Sequence, residues 1–281
     1  MLASFGRFPA ALLCAAALAA PAAAARAQGK LDAHYSATIA GIPIGAGDWQ
    51  VDIGDTHYRA EASGVTVGLV RVFIGGHGSS TAHGVLRGGL PLSSIYQSKI
   101  VTRQKSDEVE LTVDNGAVKQ SKVEPPLETG PDRIPITEEH RKGVLDPMTA
   151  SLMRTPGEGD PLSPQACERS LAVFDGRMRY DLQFAYKRMD RVKADKGYAG
   201  PVVVCAVYVS PIAGFIPSRS AVRYIARLRD IEVWLAPIAG TRVLVPFRAQ
   251  GPTPIGRFVL EATQFVSTAT PSRASNGAKA H

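Results

Sequence analysis

The chain has 281 residues, of which 45% are hydrophobic and 20% charged, and its 32 basic against 25 acidic residues give a net charge of +7. This length suits one domain. The mildly basic balance suits an anionic surface or an acidic ligand, and without any nucleic-acid-binding motif we expect no nucleic-acid partner.

The first 27 residues have the layout of a secretory signal peptide. A start that carries Arg7 precedes an alanine-rich apolar run, and an A-x-A cleavage site ends at Ala27. The run is poorly suited to a membrane span, which needs roughly 20 strongly apolar residues. We expect cleavage after Ala27 and delivery to the periplasm. Cys14 lacks the small preceding residue of a lipid-attachment site, so we expect it to leave with the signal peptide.

Two cysteines remain after cleavage, Cys167 and Cys205. In an exported chain such a pair favours one disulfide. The bond would close a loop of about 39 residues and stabilise the fold by roughly 4 kcal/mol on the chain-entropy model. A metal site is the competing interpretation, but there is no C-x-x-C and no histidine close to either cysteine in the sequence.

Short alternating apolar runs, separated by glycine and proline, fill the rest of the chain and are typical of an all-β protein. We predict that residues 31–267 form one mainly all-β domain, a single antiparallel barrel or curled (spiral) sheet with one or two short helices. Residues 268–281 are small, polar and unpatterned, which predicts a disordered tail.

The first half of the mature chain predicts paired strands and then a loop. Asn115-Gly116 is a strong two-residue hairpin signal. In the first hairpin we assign the turn to the glycines between Ile39 and Trp49, which are Gly41, Gly45 and Gly47. The candidate strands and hairpins are residues 31–53, 57–66, 68–76, 79–101 and 107–123, and the proline-rich loop is residues 124–136.

A short helix is predicted next, at about residues 147–154. Asp146 is a favourable cap and Pro147 suits the first helical position. Met148 and Leu152 lie one turn apart, with Met153 beside them. We expect this apolar face to plug or line a barrel cavity.

The stretch after Cys167 predicts a hairpin with its turn at Asp175-Gly176. Apolar residues alternate on one face of its second strand, which places the charges on a solvated face and favours this interpretation over a reactive Asp/Arg site. The apolar set is Met178, Tyr180, Leu182 and Phe184, and the polar set is Arg177, Arg179, Asp181 and Gln183.

The last third predicts further strands around one ambiguous segment. Residues 201–209, the hairpin 231–248 and residues 256–266 read as strands, the last with Phe258, Leu260, Ala262 and Gln264 on one face. Residues 217–230 fit a helix or a strand equally well. Under either period Arg219, Arg223 and Arg227 share a face. They are candidate contacts to anionic lipid or lipopolysaccharide, and plain solubility is the alternative.

Motifs of catalysis or cofactor binding are missing from the sequence. There is no G-x-S-x-G, H-E-x-x-H or P-loop, and the G-x-G at Gly45 precedes a strand rather than a helix. His77 and His83 flank two serines without a third ligand or orienting acid, so we interpret them as exposed residues of a glycine-rich turn. Glu138, Glu139 and His140 read as solvated charge in a loop. We therefore assign no catalytic residue, cofactor or metal.

Four segments in this order resemble one bacterial family, known as domain of unknown function 3108. They are GVLDPMTASLMR, CERSLAVFDGRMRYDL, CAVYVSPIAG and RDIEVWLAPIAGTRVLVPFR. The resemblance covers roughly residues 31–267 and implies an exported, β-rich envelope protein of Gram-negative bacteria. It implies no reaction and no catalytic residues. The layout is also similar to periplasmic β-spiral proteins linked to envelope integrity, a likeness of fold that transfers no function.

Three functions remain open. The first is a non-enzymatic periplasmic protein that supports the envelope and binds an apolar or amphipathic, lipid-like ligand in a barrel cavity. The second is an envelope hydrolase acting on glycan or lipid, which needs convergent carboxylates or a nucleophile–base pair. The third is a scaffold that binds an envelope protein and has no cavity. A transmembrane barrel fits poorly, because the candidate strands carry many charges opposite their apolar faces, so we expect no integral membrane protein after cleavage.

The signal-peptide prediction is tested by expressing the whole chain in a Gram-negative host. Intact-mass spectrometry of the exported protein should give a chain that starts at Gln28. A mass that retains residues 1–27 would contradict it.

Overall fold

The computed structural model describes residues 28–68 and 75–270. The predicted signal peptide, residues 69–74 of the candidate strand 68–76 and residues 271–281 of the predicted tail lie outside the described residues. The strands are β1 (Gln28–Ile39), β2 (Ile42–Ile53), β3 (His57–Thr66), β4 (Gly76–Arg87), β5 (Leu90–Thr102), β6 (Ser106–Asp114), β7 (Ala117–Glu124), β8 (Met153–Arg154), β9 (Arg169–Phe174), β10 (Arg179–Lys193), β11 (Lys196–Gly197), β12 (Ala199–Ala213), β13 (Ile231–Pro237), β14 (Val243–Thr253) and β15 (Gly256–Thr270). The helices are α1 (Pro147–Ala150) and α2 (Ser220–Arg227), with single 3-10 turns at Glu139–Arg141 and Pro164–Ala166.

All strands belong to one sheet in the order β7-β6-β5-β4-β3-β2-β1-β15-β14-β13-β12-β10-β9. Every neighbouring pair along this path is antiparallel, while β8 lies beside β14 and β11 runs parallel to β15. The end strands β7 and β9 are not paired with each other in the described ranges. The predicted fold, one antiparallel barrel or curled sheet, is therefore confirmed in its curled, unclosed form.

One loop segment bridges the two ends of the curled sheet. The Val144 amide donates to the Gly116 carbonyl at the tip of the β6–β7 hairpin, at 2.9 Å. The next residue, Leu145, exchanges backbone hydrogen bonds with β9, donating to Ala172 and accepting from Phe174. The curl is thus held by backbone hydrogen bonds through an intermediate segment rather than by direct pairing of β7 with β9.

The turn between β9 and β10 adds a second contact across this seam. Gly176 has φ +93, and a Cβ atom there would lie 2.4 Å from the Val109 side chain on β6. Arg177 then pairs with Asp107 of β6 at 3.3 Å. The predicted turn at residues 175–176 is therefore present, and its glycine lets two parts of the sheet approach closely.

The first hairpin turns at Gly41, the first of the three glycines to which the turn was assigned. Ala40 and Gly41 take positive φ angles of 52 and 80, as a two-residue hairpin turn requires, whereas Gly45 and Gly47 lie inside β2. The second predicted turn is correct, since Asn115 links β6 and β7 with φ 50.

A bulge in β15 changes which of its residues face the interior. Tyr35 of β1 pairs with Ala262, but the preceding residue of β1 pairs with Gln264, so Thr263 is extra. Phe265 rather than Gln264 is then fully buried. The predicted alternation of inward-facing residues along β15 is correct as far as Ala262 and is wrong for Gln264.

The sheet is buried on both faces where β12, β13 and β14 meet. Val202 and Val204 pack in the main core, while Val203 and Cys205 pack in a second cluster under the covering segment that carries Cys167. A continuous apolar run is expected for a strand covered on both faces. The predicted Cys167–Cys205 disulfide is confirmed, with both residues fully buried and their Cα atoms 5.4 Å apart.

The predicted helix at 147–154 is shorter than expected. Only Pro147–Ala150 is helical, and Met153 is extended in β8, where it pairs with Leu244. Met153 is buried in the second cluster, so strand pairing and burial override its helical preference.

The domain also extends beyond the predicted limits. Gln28 of β1 pairs with Thr270 of β15, so residues 268–270 belong to the sheet rather than to the tail. The face that was expected to be solvated has two largely buried side chains: Arg179 is 13% exposed and pairs with Asp181 at 2.7 Å, and Arg177 is 23% exposed.

The ambiguous arginine-rich segment is helical. It forms α2, which has no buried residue, and leads from β12 to β13. In the part of the chain that the structure describes, no helix is both long and apolar enough to cross a membrane.

Removal of the disulfide should lower stability without changing the sheet. The double variant Cys167→Ala/Cys205→Ala should lose up to roughly 4 kcal/mol of unfolding free energy, because the unfolded chain regains the freedom of the closed loop. Urea unfolding measures this loss, and the reduced wild-type protein should move toward the same value. An unchanged midpoint in both experiments would contradict the prediction.

Candidate functional site

A concave space of about 600 Å³ opens at the end of the sheet where β1 ends and β2 begins. We call this end the mouth. The walls come from β1 to β5, with additions from α1, β14 and β15. The lining includes Tyr35, Ala37, Gly45, Gly47, Trp49, Ala62, Gly64, Thr66, Gly76, Gly78, Ile100, Thr102, Met148, Ser151, Pro246 and Leu260.

The cavity exists because the inner face of the sheet changes from large to small residues toward the mouth. Along β2, buried Trp49, Val51 and Ile53 share a face with Gly45 and Gly47. Interiors normally fill such positions with close-packed side chains. The glycines leave the space near the mouth open.

The next strand repeats this change of size. Tyr58 and Ala60 are buried deep in β3, and Ala62 and Gly64 follow on the same face toward the mouth. At the mouth, the inner faces of the adjacent strands β2 and β3 therefore carry residues that are too small to fill the interior.

The glycines of the wall serve two physical purposes. A Cβ atom at Gly47 would lie 2.5 Å from the Ser63 carbonyl, so this glycine permits close strand approach. A Cβ atom at Gly64 would meet only the Ala46 carbonyl, at an ordinary 3.6 Å. Gly64 therefore leaves room that a larger side chain could occupy.

Helix α1 supplies one side of the cavity through Met148 and Ser151. A buried polar network fixes this helix. The Thr149 amide donates to Asp146 Oδ1 at 2.9 Å, and the Thr149 hydroxyl donates to Oδ2. Ser93 of β5 donates to the same carboxylate.

The network extends to a tyrosine on β3, because Tyr58 Oη is hydrogen-bonded to Thr149 Oγ1 at 2.5 Å. Asp146 is only 1% exposed, and this burial raises the pKa of its carboxyl from 3.8 to about 6. Burial likewise raises the pKa of Tyr58, with a further contribution from Asp146. Neither Asp146 nor Tyr58 lines the cavity, so the network positions α1 against β3 and β5.

Two polar groups of the cavity wall differ in how they are satisfied. Tyr35 Oη donates to the Pro246 carbonyl at 2.6 Å, which links β1 to β14 over the intervening strand β15. Trp49 Nε1 is enclosed by protein atoms and has no hydrogen-bond partner among the described residues. An unpaired buried donor of this kind costs about 1–3 kcal/mol of stability.

The residues predicted from the sequence fall into three places. Met148 lines the cavity, whereas Leu152 and Met153 are buried in the main and second clusters and do not line it. Cys167 and Cys205 lie in the second cluster, under the other face of the sheet. The arginine set Arg219, Arg223 and Arg227 is exposed at α2.

The small wall residues were missed as functional residues. Gly45 and Gly47 were assigned to a turn, and Ala62 and Gly64 carried no motif. Their period-two spacing within strands was the available signal. It becomes informative only when the register shows that small residues of neighbouring strands meet.

Titratable groups near the cavity do not form a recognisable reactive arrangement. His34 Nδ1 contacts Asp48, and Ser63 Oγ donates to the same carboxylate at 3.4 Å. The carboxylate therefore lies between serine and histidine, whereas a catalytic triad places the histidine between them. Among residues 28–68 and 75–270, no cluster of three or more His, Cys, Asp or Glu side chains could hold a metal ion.

The two predicted histidines lie in a strand rather than a turn. His77 and His83 are both in β4, where His77 is exposed beside the mouth. The segment around these histidines is a strand despite its glycines, because it pairs with β3 and β5.

Glu139, which was predicted as solvated charge in a loop, pairs with Lys142 at 2.6 Å in an exposed 3-10 turn.

Comparison with known proteins gives a family but no activity. The family model described as "Protein of unknown function (DUF3108)" matches residues 33–263. A crystal structure of a β-barrel-like protein of domain of unknown function DUF1849 from Brucella abortus is similar over 87% of this chain and 99% of that chain, at 10% identity and a TM-score of 0.46. None of the curated proteins matches the chain.

The pKa of Asp146 makes a pH-dependent contribution to stability. Because the folded carboxyl holds its proton up to about pH 6, its contribution is complete below pH 4 and is lost as the pH rises through 6. A shift of this size corresponds to roughly 3 kcal/mol. Asp146→Asn should therefore reduce the fall in unfolding free energy between pH 4 and pH 7.

Urea unfolding at both pH values measures this change. Asp114→Asn, at an exposed position, is the matched control and should follow the wild-type pH dependence. Parallel pH profiles for Asp146→Asn and the wild type would show that the buried carboxyl does not contribute as described.

Proposed function

The chain belongs to the DUF3108 family of proteins of unknown function, and we propose that it is a non-enzymatic binding protein that holds an apolar or amphipathic, lipid-like ligand in its mouth cavity. We further propose that it does so in the periplasm, in support of the integrity of a Gram-negative envelope.

The observation that carries the proposal is the size and lining of the cavity. Its volume of about 600 Å³ lies within the roughly 300–1,000 Å³ range of small-molecule sites. Glycine, alanine and larger apolar side chains form most of the wall. Such a wall favours an acyl chain or another flexible apolar group over a charged metabolite, whose charges would lack partners.

The polar features of the wall refine the ligand to an amphipathic one. His77 is exposed beside the mouth and can donate a hydrogen bond to a carbonyl or carboxyl oxygen. Tyr35 is engaged with the Pro246 carbonyl and Trp49 Nε1 is enclosed by protein atoms, so neither of them is the donor to the ligand. A fatty acid or an acyl ester has both the apolar chain and the acceptor.

The periplasmic location is supported by two independent features. The first 27 residues have the layout of a cleavable export signal. A fully buried disulfide also links Cys167 to Cys205 within the domain, and such bonds are typical of oxidising compartments.

The proposal is tested by filling the cavity. Gly64→Phe places a ring in the open space where the first added carbon meets no close neighbour, so the fold should persist while the ligand loses its room. Gly159→Phe is the matched control, because a Cβ atom there would meet nothing within 4 Å and the position lies outside the cavity wall.

Two measurements read out the test on protein purified from the periplasmic fraction. Mass spectrometry should find one class of lipid bound to the wild type and to Gly159→Phe, and far less bound to Gly64→Phe. A fluorescent fatty-acid probe should follow the same order, with affinity reduced at least about tenfold in Gly64→Phe. Absence of lipid and probe from the wild type would rule out a ligand carrier and favour a scaffold.

A further inference from the structure

The mouth end of the sheet gathers most of the exposed large apolar side chains. Of the eleven such residues that the described ranges expose, seven lie at this end, while Leu90 marks the opposite end and Ile95, Tyr186 and Met189 lie along the sides. The seven are Ile42, Val65, Ile100, Met178, Tyr224, Ile225 and Ile255.

Strand pairing places four of these residues at the mouth end. Ile42 pairs with Ile39 where β1 ends, and Ile39 pairs with Phe258 near the start of β15. Ile255 therefore lies in the neighbouring turn between β14 and β15, and it is 75% exposed. Val65 and Ile100 lie near the ends of β3 and β5 that border the cavity.

Helix α2 belongs to the same end, because it connects the last residues of β12 with the first of β13. It buries no residue and exposes Tyr224 and Ile225. Arg229, just after the helix, lies over the Tyr208 ring at 5.7 Å, which attaches this segment to β12. A short helix with separate apolar and basic sides is suited to a membrane interface.

Positive charge accompanies these apolar residues. Arg219, Arg223 and Arg227 are exposed at α2, and exposed Arg257 lies two residues beyond Ile255. Two carboxylates lie at the same end: Asp107 is paired with Lys105 and Arg177, and exposed Asp230 follows Arg229, so the arginines of α2 and Arg257 outnumber them. Exposed apolar residues that are bordered by charged ones mark binding surfaces.

We propose that the mouth end docks on the surface of an anionic phospholipid bilayer, so that the cavity opens toward the membrane from which its ligand comes. A bilayer offers negative headgroups to the arginines and an apolar layer to the isoleucines, which matches both features of this end. This inference rests on the proposed ligand-binding function and adds the source of the ligand.

Vesicle binding tests the docking surface. The protein, with its N-terminus verified by mass, is mixed with phosphatidylglycerol vesicles or phosphatidylcholine vesicles and separated by flotation. The wild type should float with the anionic vesicles and should bind the neutral ones much more weakly. Each arginine near an anionic surface strengthens binding by roughly fivefold, so Arg219→Gln/Arg223→Gln/Arg227→Gln should weaken it by up to about a hundredfold.

Matched variants at the opposite end separate local contact from total charge. Arg87→Gln/Lys193→Gln/Lys196→Gln removes the same charge from exposed positions far along the strands and should retain most of the binding. Ile42→Ser/Ile255→Ser should weaken binding, whereas Leu90→Ser should not. Equal binding to both vesicle types, no binding to either, or equal loss in the two charge variants would overturn the proposal.

The cavity and the docking surface can fail independently. Gly64→Phe should bind anionic vesicles like the wild type while losing the fatty-acid probe. The α2 arginine variant should keep the probe and lose the vesicles. Probe binding without vesicle binding in the wild type would leave the cavity function standing and refute only the docking surface.

Discussion

The backbone hydrogen bonds of Val144 and Leu145 are the constraint on which the rest of the structure depends. They connect the β6–β7 hairpin to β9 and so hold two unpaired sheet ends in a curl. Asp146 follows directly, and its buried network orients α1 so that Met148 lines the cavity. One continuous segment therefore holds the seam and builds the site, because the residues that close the sheet also start the helix.

The cavity depends equally on side chains that are missing. Glycine and alanine at the ends of β2 and β3 leave the interior unfilled, which forgoes dispersion contacts that a packed core would make. Binding of an apolar ligand would restore those contacts and so stabilise the folded protein. The same end of the sheet exposes isoleucines and arginines, so the opening of the cavity and the membrane-facing surface that we propose share one location.

Local signals in the sequence predicted the elements whose causes are local. The Asn115-Gly116 turn, the valine-rich strand that contains Cys205 and the capped start of α1 depend on a few adjacent residues or on the composition of one strand. The disulfide followed from the predicted export and from the two cysteines that lie after the predicted signal peptide. The β15 bulge and the strand state of Met153 depend on partner strands, and the cavity depends on the register of several strands at once, so no single segment reveals them.

The central claim is that the mouth cavity is the binding site for an apolar chain. Methyl NMR with a spin-labelled fatty acid tests it most directly, because paramagnetic broadening reports distance from the bound chain. The account predicts selective broadening of the methyl groups of Ala37, Ala62, Met148 and Leu260, while those of Leu86 and Leu90, at the opposite end of the sheet, stay sharp. Uniform weak broadening, or broadening centred on any other part of the molecule, would contradict it.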